Sequence, residues 1–225
     1  DNFLAAMSAY GCKTAMIGKV GADAFGKLLI GTLDRLGIDT RGVAVDPAYF
    51  TTLAFVTLDE TGNREFSFAR KPGADTQLTE AEVNALPFVG DARAFHFGTL
   101  SLTGEPARSA TRAAVRRAKE AGCLISFDPN LRRPLWDSEE SAKAQIEWGL
   151  RQADIVKISD EEIEFMWGLN PEEGAQKLLD EYGARLVYAT LGPKGCYAVT
   201  KNTRVTVASP KGIHVVDTTG AGDIF

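Results

Sequence analysis

The chain has 225 residues, of which 44% are hydrophobic and 24% are charged. This length fits one large α/β domain or two small ones, and the composition excludes collagen, low-complexity disorder and coiled coil. Thirty acidic and 25 basic residues give a net charge of −5. This charge argues against nucleic acid and anionic membrane surfaces as partners.

Cysteine usage and the chain ends carry further information. The three cysteines lie far apart without a CxxC pair, which argues against a disulfide framework or a zinc site and predicts a reducing, cytoplasmic location. No apolar run approaches the roughly 18 residues of a membrane span. The chain opens at Asp1 within a helical pattern and closes at Phe225 after a glycine-rich turn. We therefore expect residues 1–225 to form a single domain that is truncated at both ends.

The N-terminal pattern predicts a helix, a strand and a second helix. Residues 2–10 have apolar side chains at helical spacing, and residues 14–17 form a short apolar strand. Gly18 and Gly21 are expected to lie in the loop that follows this strand. Asp23 is expected to begin the second helix.

A β-hairpin is predicted between residues 38 and 72. Residues 52–58 and 64–69 are β-branched and aromatic, and residues 59–63 between them have turn chemistry. A hairpin does not belong to a series of parallel βαβ units. We therefore expect it to lie at the edge of a sheet or to project as a flap.

Strands and helices alternate from Arg93 onward. Short apolar strands begin at intervals of about 30 residues, near Ala94, Leu124, Ile155 and Leu186. The predicted helices between and after them cover residues 105–121, 139–152, 160–167 and 172–182. This period predicts a parallel sheet. A TIM barrel has the same period, but it needs eight units and does not account for the hairpin.

Small, hydroxyl-bearing or charged residues follow each of these four strands. They include Thr99, Asp128, Arg132, Ser159, Glu162, Thr190, Gly192 and Gly195. Solvation and helix capping are enough to explain the polar residues of any single loop. Because ligands bind at the carboxyl ends of parallel strands, four such loops together favour one shared site.

Residues 217–223, Asp-Thr-Thr-Gly-Ala-Gly-Asp, form the strongest local motif. The backbone N–H groups from Gly220 to Asp223 can converge on an anion at the start of a helix. Asp223 could accept a proton from an alcohol beside them, an arrangement that suits phosphoryl transfer. A plain helix N-terminus with a first-turn acid explains the same pattern, and spacing alone does not decide between the two.

Taken in order, these motifs resemble those of the PfkB (ribokinase-like) carbohydrate kinases. Residues 217–223 resemble the second family signature, and residues 2–21 resemble part of the first. Residues 190–195 resemble the nucleotide-side TLGxxG turn, and residues 127–136 resemble the fructokinase branch. The resemblance implies an α/β fold, a ribokinase-like three-layer αβα sandwich with a mostly parallel central sheet and a small β-lid at about residues 38–72.

The resemblance also implies site residues. Asp223 would be the general base, and Gly220, Ala221 and Gly222 would form the anion hole for the transferred phosphoryl group. Asn2, Arg70 and Arg132 would contact the sugar, with ATP phosphates as a second possibility for Arg132. Ser159, at the family's Asn position, would line the nucleotide pocket with Thr190, Gly192 and Gly195. Glu162 would organise Mg²⁺ through water.

The implied activity is that of a kinase, dependent on ATP and Mg²⁺, that phosphorylates the primary hydroxyl of D-fructose to give fructose 6-phosphate. A 2-keto-3-deoxygluconate kinase shares the DPNxR-x-x-LW pattern, and Arg70 could bind the carboxylate of its substrate. Another PfkB sugar kinase and a non-catalytic, kinase-like binding protein are further alternatives, the last disfavoured by Asp223 and the glycine-rich turn. The resemblance also implies that the lid closes over the sugar, and homodimers are common among proteins with such lids.

Overall fold

A computed structural model of the protein describes residues 2–58, 64–212 and 220–224. The strands in these residues are β1 (Thr14–Gly21), β2 (Ile38–Asp46), β3 (Leu53–Leu58), β4 (Arg64–Ala69), β5 (Ala94–Gly98), β6 (Leu124–Asp128), β7 (Ile155–Ser159), β8 (Leu186–Thr190), β9 (Cys196–Thr200) and β10 (Arg204–Val207). The α-helices are α1 (Asn2–Ala9), α2 (Ala24–Arg35), α3 (Glu80–Asn84), α4 (Ala107–Glu120), α5 (Glu139–Leu150), α6 (Asp160–Trp167), α7 (Pro171–Glu181) and α8 (Ala221–Ile224).

The chain divides into two compact units. Unit 1 is built from the described parts of Asp1–Leu86, Gly104–Ala110 and Thr219–Phe225. Unit 2 is built from the described parts of Pro87–Thr103 and Thr111–Thr218. Helix α4 begins in unit 1 and continues in unit 2.

Unit 2 contains a six-stranded sheet in the order β10-β9-β8-β7-β6-β5. Strands β5 to β8 run parallel, whereas β9 and β10 are antiparallel additions at one edge. The four parallel strands begin at the residues that the sequence pattern predicts. The register aligns their carboxyl ends, since Gly98 lies opposite Asp128 and Ser159 lies opposite Thr190. An α/β class with a mostly parallel sheet is therefore confirmed.

The two faces of this sheet differ in burial. One face is apolar and fully buried at Phe127, Val156, Ile158 and Val187, and each such side chain contributes about 1.5–3 kcal/mol by leaving water. The alternate positions are half-buried and mostly polar: Ser126, Lys157, Ser159, Tyr188 and Thr190. Paired residues on neighbouring strands point to the same side. The polar residues at the strand ends therefore share one face of the sheet.

Local capping residues determine where the helices of unit 2 begin. Ser138, Ser159 and Asn170 each accept a hydrogen bond from a first-turn backbone N–H, at the starts of α5, α6 and α7. Helix α6 has the predicted bounds. The bounds of α4, α5 and α7 differ from prediction by at most two residues at each end. Among the described residues, no helix is long and apolar enough to cross a membrane.

Unit 1 contains a parallel pair, β1 and β2, and a separate antiparallel hairpin, β3 and β4. The predicted hairpin is therefore confirmed, although its turn at residues 59–63 lies outside the described residues. Helix α2 begins after Asp23 as predicted, because the Asp23 carboxylate accepts a hydrogen bond from the Gly26 N–H at 2.8 Å.

The predicted end of the first strand is wrong. Strand β1 continues through Gly18 to Gly21, because Gly18 pairs with Val43 of β2 and Gly21 pairs with Asp46. Local propensity predicts a loop at these glycines. Hydrogen bonding to a neighbouring strand overrides that propensity.

Candidate active site

A buried ion pair joins the carboxyl end of β6 to the middle of β7 in unit 2. Asp128 is 5% exposed, and its Oδ2 accepts a hydrogen bond from Lys157 Nζ at 2.9 Å. Burial raises the pKa of Asp128 to about 6; the Lys157 ammonium opposes this rise and the negative charge of Glu162 adds to it. Sequence reasoning did not single out Lys157 and treated Asp128 only as part of a motif. The position of Asp128 as the last residue of an apolar strand was the signal that could have marked it as a site residue.

The turn that follows Asp128 is held at three successive residues. Thr99 is fully buried, and both its hydroxyl and its backbone N–H donate to the Pro129 carbonyl. Asn130 has a positive φ of 44° and donates its N–H to Asp128 Oδ1. The Leu131 N–H donates to Glu162 Oε1 at 2.7 Å. These contacts fix the backbone from which the predicted ligand residue Arg132 extends.

Glu162 connects this turn to helix α6. Glu162 is 8% exposed, and its Oε2 accepts the Ser159 N–H at 2.9 Å while the Ser159 hydroxyl accepts the Glu162 N–H at 3.2 Å. This reciprocal pair is a capping box. The predicted residues Ser159 and Glu162 are therefore adjacent, and their local role is to start α6.

The donor set fits a magnesium ion that is bound partly through water. Each Glu162 oxygen accepts one backbone N–H, which leaves further lone pairs for a water ligand. Mg²⁺ is usually bound by one or two carboxylates together with waters and substrate phosphates. Within residues 2–58, 64–212 and 220–224, no group of three or more His, Cys, Asp or Glu side chains could hold a metal ion. An all-protein cage is therefore not formed by these residues.

The turn after β8 requires glycine. Thr190 is the last residue of β8, and the Leu191 N–H donates to the Gly195 carbonyl at 2.8 Å. Gly192 and Gly195 have φ values of 54° and 109°, and a Cβ atom on Gly195 would overlap the Val207 carbonyl oxygen. Backbone conformation alone explains these glycines. Their contact with a nucleotide stays a prediction.

A cavity of about 530 Å³ lies beside this turn in unit 2. Its lining includes four carboxylates and one ammonium group, from Asp160, Glu161, Glu164, Glu172 and Lys194. This excess of negative charge repels phosphate. We therefore do not assign the cavity to the phosphate groups of a nucleotide.

Unit 1 brings two predicted site residues together. Asn2, at the start of α1, donates from Nδ2 to Asp223 Oδ2 on α8 at 2.9 Å. Gly220 has a φ of 78°, and a Cβ atom there would lie 2.6 Å from Asn2 Nδ2. Helix α8 begins at Ala221, within the predicted glycine-rich turn. Residues 217–219 of that motif lie outside the described residues.

The remaining predicted residues are found in defined local environments. Arg70 is paired with Asp75, and its side chain is 6% exposed. Arg132 donates from Nη1 to the Leu131 carbonyl at 3.1 Å. His96 Nδ1 of β5 lies 3.0 Å from the Ser126 hydroxyl of β6.

Comparison with known proteins identifies the family. Residues 1–225 match the profile of the pfkB family carbohydrate kinases. Over its whole length the chain is 47% identical to fructokinase-2 of Solanum lycopersicum and 44% identical to fructokinase-2 of Oryza sativa subsp. japonica, covering 68% and 66% of those proteins. The chain thus spans about two thirds of the length of these relatives.

Solved structures give the same result. A fructokinase from Vibrio cholerae O395, determined with fructose, ADP and a calcium ion, matches with a TM-score of 0.87 and 35% identity over 99% of this chain and 71% of that chain. A fructokinase from Xylella fastidiosa with bound ATP matches with a TM-score of 0.88 and 31% identity over 99% and 69%. The expected ribokinase-like α/β fold class is confirmed by these neighbours.

Proposed function

Because this chain belongs to the pfkB family of carbohydrate kinases, we propose that it is an ATP-dependent fructokinase. It transfers the γ-phosphoryl group of ATP to the primary hydroxyl at C6 of D-fructose, giving fructose 6-phosphate and ADP. The observation that carries this proposal is the 44–47% identity, along the whole chain, to proteins named fructokinase. Fructose and ADP bound to a structural neighbour that is 35% identical support the same substrates.

Asp223 is the general base of the proposed reaction. Its carboxylate takes the proton of the C6 hydroxyl as the oxygen forms a bond to the γ-phosphorus, and the bond from that phosphorus to the bridging oxygen of ADP breaks. The hydrogen bond from Asn2 to Asp223 Oδ2 supports this role, because it orients one carboxylate oxygen. It also gives Asn2 a role in positioning the base, in addition to its predicted contact with the sugar.

Backbone groups stabilise the charge that develops on the phosphoryl group. Gly220, Ala221 and Gly222 supply N–H groups for the anion hole, which stabilises the transferring oxygens without a change in protein charge. Glycine at position 220 is supported by its positive φ of 78°. Glycine at position 222 lets phosphate approach the backbone.

Residues of unit 2 bind the nucleotide and the ion in this proposal. Ser159, Thr190, Gly192 and Gly195 line the nucleotide pocket, and Arg132 binds phosphate or sugar oxygens through its planar guanidinium. Glu162 would hold Mg²⁺ through water, with its carboxylate kept in place by two backbone N–H groups. When bound, Mg²⁺ neutralises negative charge on the phosphates.

Three further predictions accompany the proposal. Closure of the hairpin region over the sugar would exclude water, which competes with the sugar as phosphoryl acceptor. A homodimer and a cytoplasmic location are the other two. Native mass spectrometry of the intact protein tests the dimer.

The experiment that tests the function is ADP release by the intact protein with Mg-ATP and one of three sugars. We expect turnover on fructose, and little on ribose or 2-keto-3-deoxygluconate. Turnover on the keto acid alone would keep the family mechanism and change the substrate. Silence on all three would contradict the proposal and favour a non-catalytic binding protein.

A further inference from the structure

Arg70 and Asp75 form a nearly buried ion pair in unit 1. Arg70 Nε and Nη2 both donate to Asp75 Oδ2, at 2.7 and 2.6 Å. The Arg70 side chain is 6% exposed, whereas that of Asp75 is 36% exposed. The other carboxylate oxygen, Oδ1, accepts the Thr52 hydroxyl. Asp75 therefore uses both oxygens within the protein while part of its side chain still reaches solvent.

Backbone contacts between residues 73–76 and residues 50–52 hold Asp75 in this position. The Ala74 N–H donates to the Phe50 carbonyl at 2.8 Å, and the Thr76 N–H closes a turn onto the Gly73 carbonyl. A Cβ atom on Gly73 would overlap the Thr52 hydroxyl, so glycine permits the close approach. Asp75 is thus presented to Arg70 by a turn that backbone hydrogen bonds hold in place.

A second anchor lies at the other end of the same turn. The Gln77 carbonyl accepts a hydrogen bond from Lys19 Nζ at 2.9 Å. Lys19 also pairs with Glu82 at 2.8 Å and with Asp46 at 3.3 Å, and its side chain is 8% exposed. Residues 73–77 are therefore tied to β1, β2 and α3, which limits how far Asp75 can move away from Arg70.

This pairing has a consequence for charged ligands. An arginine recognises a carboxylate best when its planar fork can donate two parallel hydrogen bonds. At Arg70, Nε and one terminal nitrogen already donate to an internal carboxylate. A ligand carboxylate would have to displace Asp75 or accept repulsion from it. A neutral hydroxyl meets no such repulsion and can donate to a carboxylate oxygen.

We propose that Asp75 is a specificity-determining residue that neutralises Arg70 and so selects an uncharged sugar against a sugar acid. Asp75 acts here through Arg70, as a positioning residue. The inference rests on the proposed function, since it concerns which sugar that reaction accepts. Neutralisation by Asp75 would explain how a chain in which Arg70 could bind a sugar carboxylate acts on fructose instead.

The test compares two sugars in the intact protein. Asp75→Asn removes the charge and keeps the size and an oxygen for Thr52. We expect the ratio of kcat/KM for fructose to kcat/KM for 2-keto-3-deoxygluconate to fall about tenfold or more, mainly through a lower KM for the acid. An unchanged ratio, or an equal loss on both sugars, would assign the pair to the fold alone and overturn the proposal.

Two controls separate specificity from general damage. Asp39→Asn breaks an ion pair with Arg41 on β2, in which the arginine side chain is 71% exposed instead of 6%, and the ratio is expected to stay the same. In an Arg70→Ala background, Asp75→Asn is expected to change the ratio less than twofold, because the gained affinity for the acid depends on Arg70. A full tenfold change in that background would show that Asp75 does not act through Arg70.

Failure of the proposed function can be distinguished from failure of this inference. If the parent protein turns over neither sugar, the proposed function fails, and calorimetric binding of the two sugars to the parent and to Asp75→Asn tests the inference. A tenfold shift of the Kd ratio toward the acid supports it, whereas no shift, or no binding, overturns it. If thermal unfolding shows that Asp75→Asn does not fold, Asp75→Ser replaces it, and failure of both to fold overturns the proposal.

Discussion

The two groups of candidate residues are held in different ways. In unit 2, Asp128 ends β6 and pairs with Lys157 of the neighbouring strand β7, and Glu162 accepts two backbone N–H groups at the start of α6. In unit 1, Asp223 lies on the four-residue helix α8, where Asn2 donates to it. A helix of one turn is marginal by itself, whereas strand ends are fixed by the hydrogen bonds of the sheet. The proposed base therefore depends on its packing partners more than the proposed ligand-binding residues do.

Removing the proposed base gives the largest expected effect. Asp223→Asn keeps the size of the side chain and its contact with Asn2, but it removes the group that accepts the proton. We expect kcat on fructose to fall by about 10²–10⁴-fold with little change in sugar binding. Steady-state kinetics of the intact protein measure this, with Asp34→Asn on α2 as an unaffected control. Near-normal turnover would remove Asp223 from this role.

The buried carboxylate of unit 2 should make stability depend on pH. The pKa of Asp128 is about 6 in the folded protein, against an ordinary value of 3.8. Because the folded pKa is raised, the stabilising contribution of Asp128 is complete below about pH 4 and is lost as the pH rises through about 6. The difference in unfolding free energy between the parent and Asp128→Asn should therefore fall by about 3 kcal/mol over this range.

Urea denaturation at several pH values between 4 and 7.5 measures that difference. Asp154→Asn, a second carboxylate variant in the same unit, is measured in parallel. If the difference in unfolding free energy between the parent and Asp128→Asn does not change with pH, the pKa of Asp128 is not raised in the folded protein.

Two glycine substitutions test how rigidly the sheet of unit 2 is packed. A Cβ atom on Gly149 of α5 would overlap the Phe127 ring, whereas a Cβ atom on Gly31 of α2 would have Arg35 Nη1 as its nearest neighbour at 3.8 Å. Alanine favours a helix by about 1 kcal/mol over glycine, but overpacking a core costs about 1–3 kcal/mol. We expect Gly149→Ala to lower the melting temperature and Gly31→Ala to raise it. Equal changes in both variants would contradict tight packing at Phe127.

The smallest effect is expected from the contact that orients the base. Asn2→Ala removes the hydrogen bond to Asp223 Oδ2, which is exposed. We expect a loss of about 1 kcal/mol, or roughly fivefold in kcat on fructose. A rise in KM for fructose at constant kcat would instead support the predicted contact between Asn2 and the sugar.

Much of the fold follows from local sequence. The four parallel strands of unit 2 begin where short apolar runs begin, at Ala94, Leu124, Ile155 and Leu186. Helix α6 begins where Ser159 and Glu162 form a capping box, a pattern that four successive residues determine. Strand β1 differs, because the pairing of Gly18 with Val43 depends on residues 25 positions away. Local patterns predict elements well where the stabilising contacts are themselves local.

The sequence by itself determined the four parallel strands of unit 2, the helices predicted between and after them, and the motifs that mark the family. Only the tertiary structure paired Asp128 with Lys157, which lies 29 residues away, and Asn2 with Asp223, which lies 221 residues away. It also showed that the predicted ligand residue Arg70 is paired with Asp75. Strand register and turn geometry decide which charged groups meet, and both arise from hydrogen bonds between segments that no local propensity encodes.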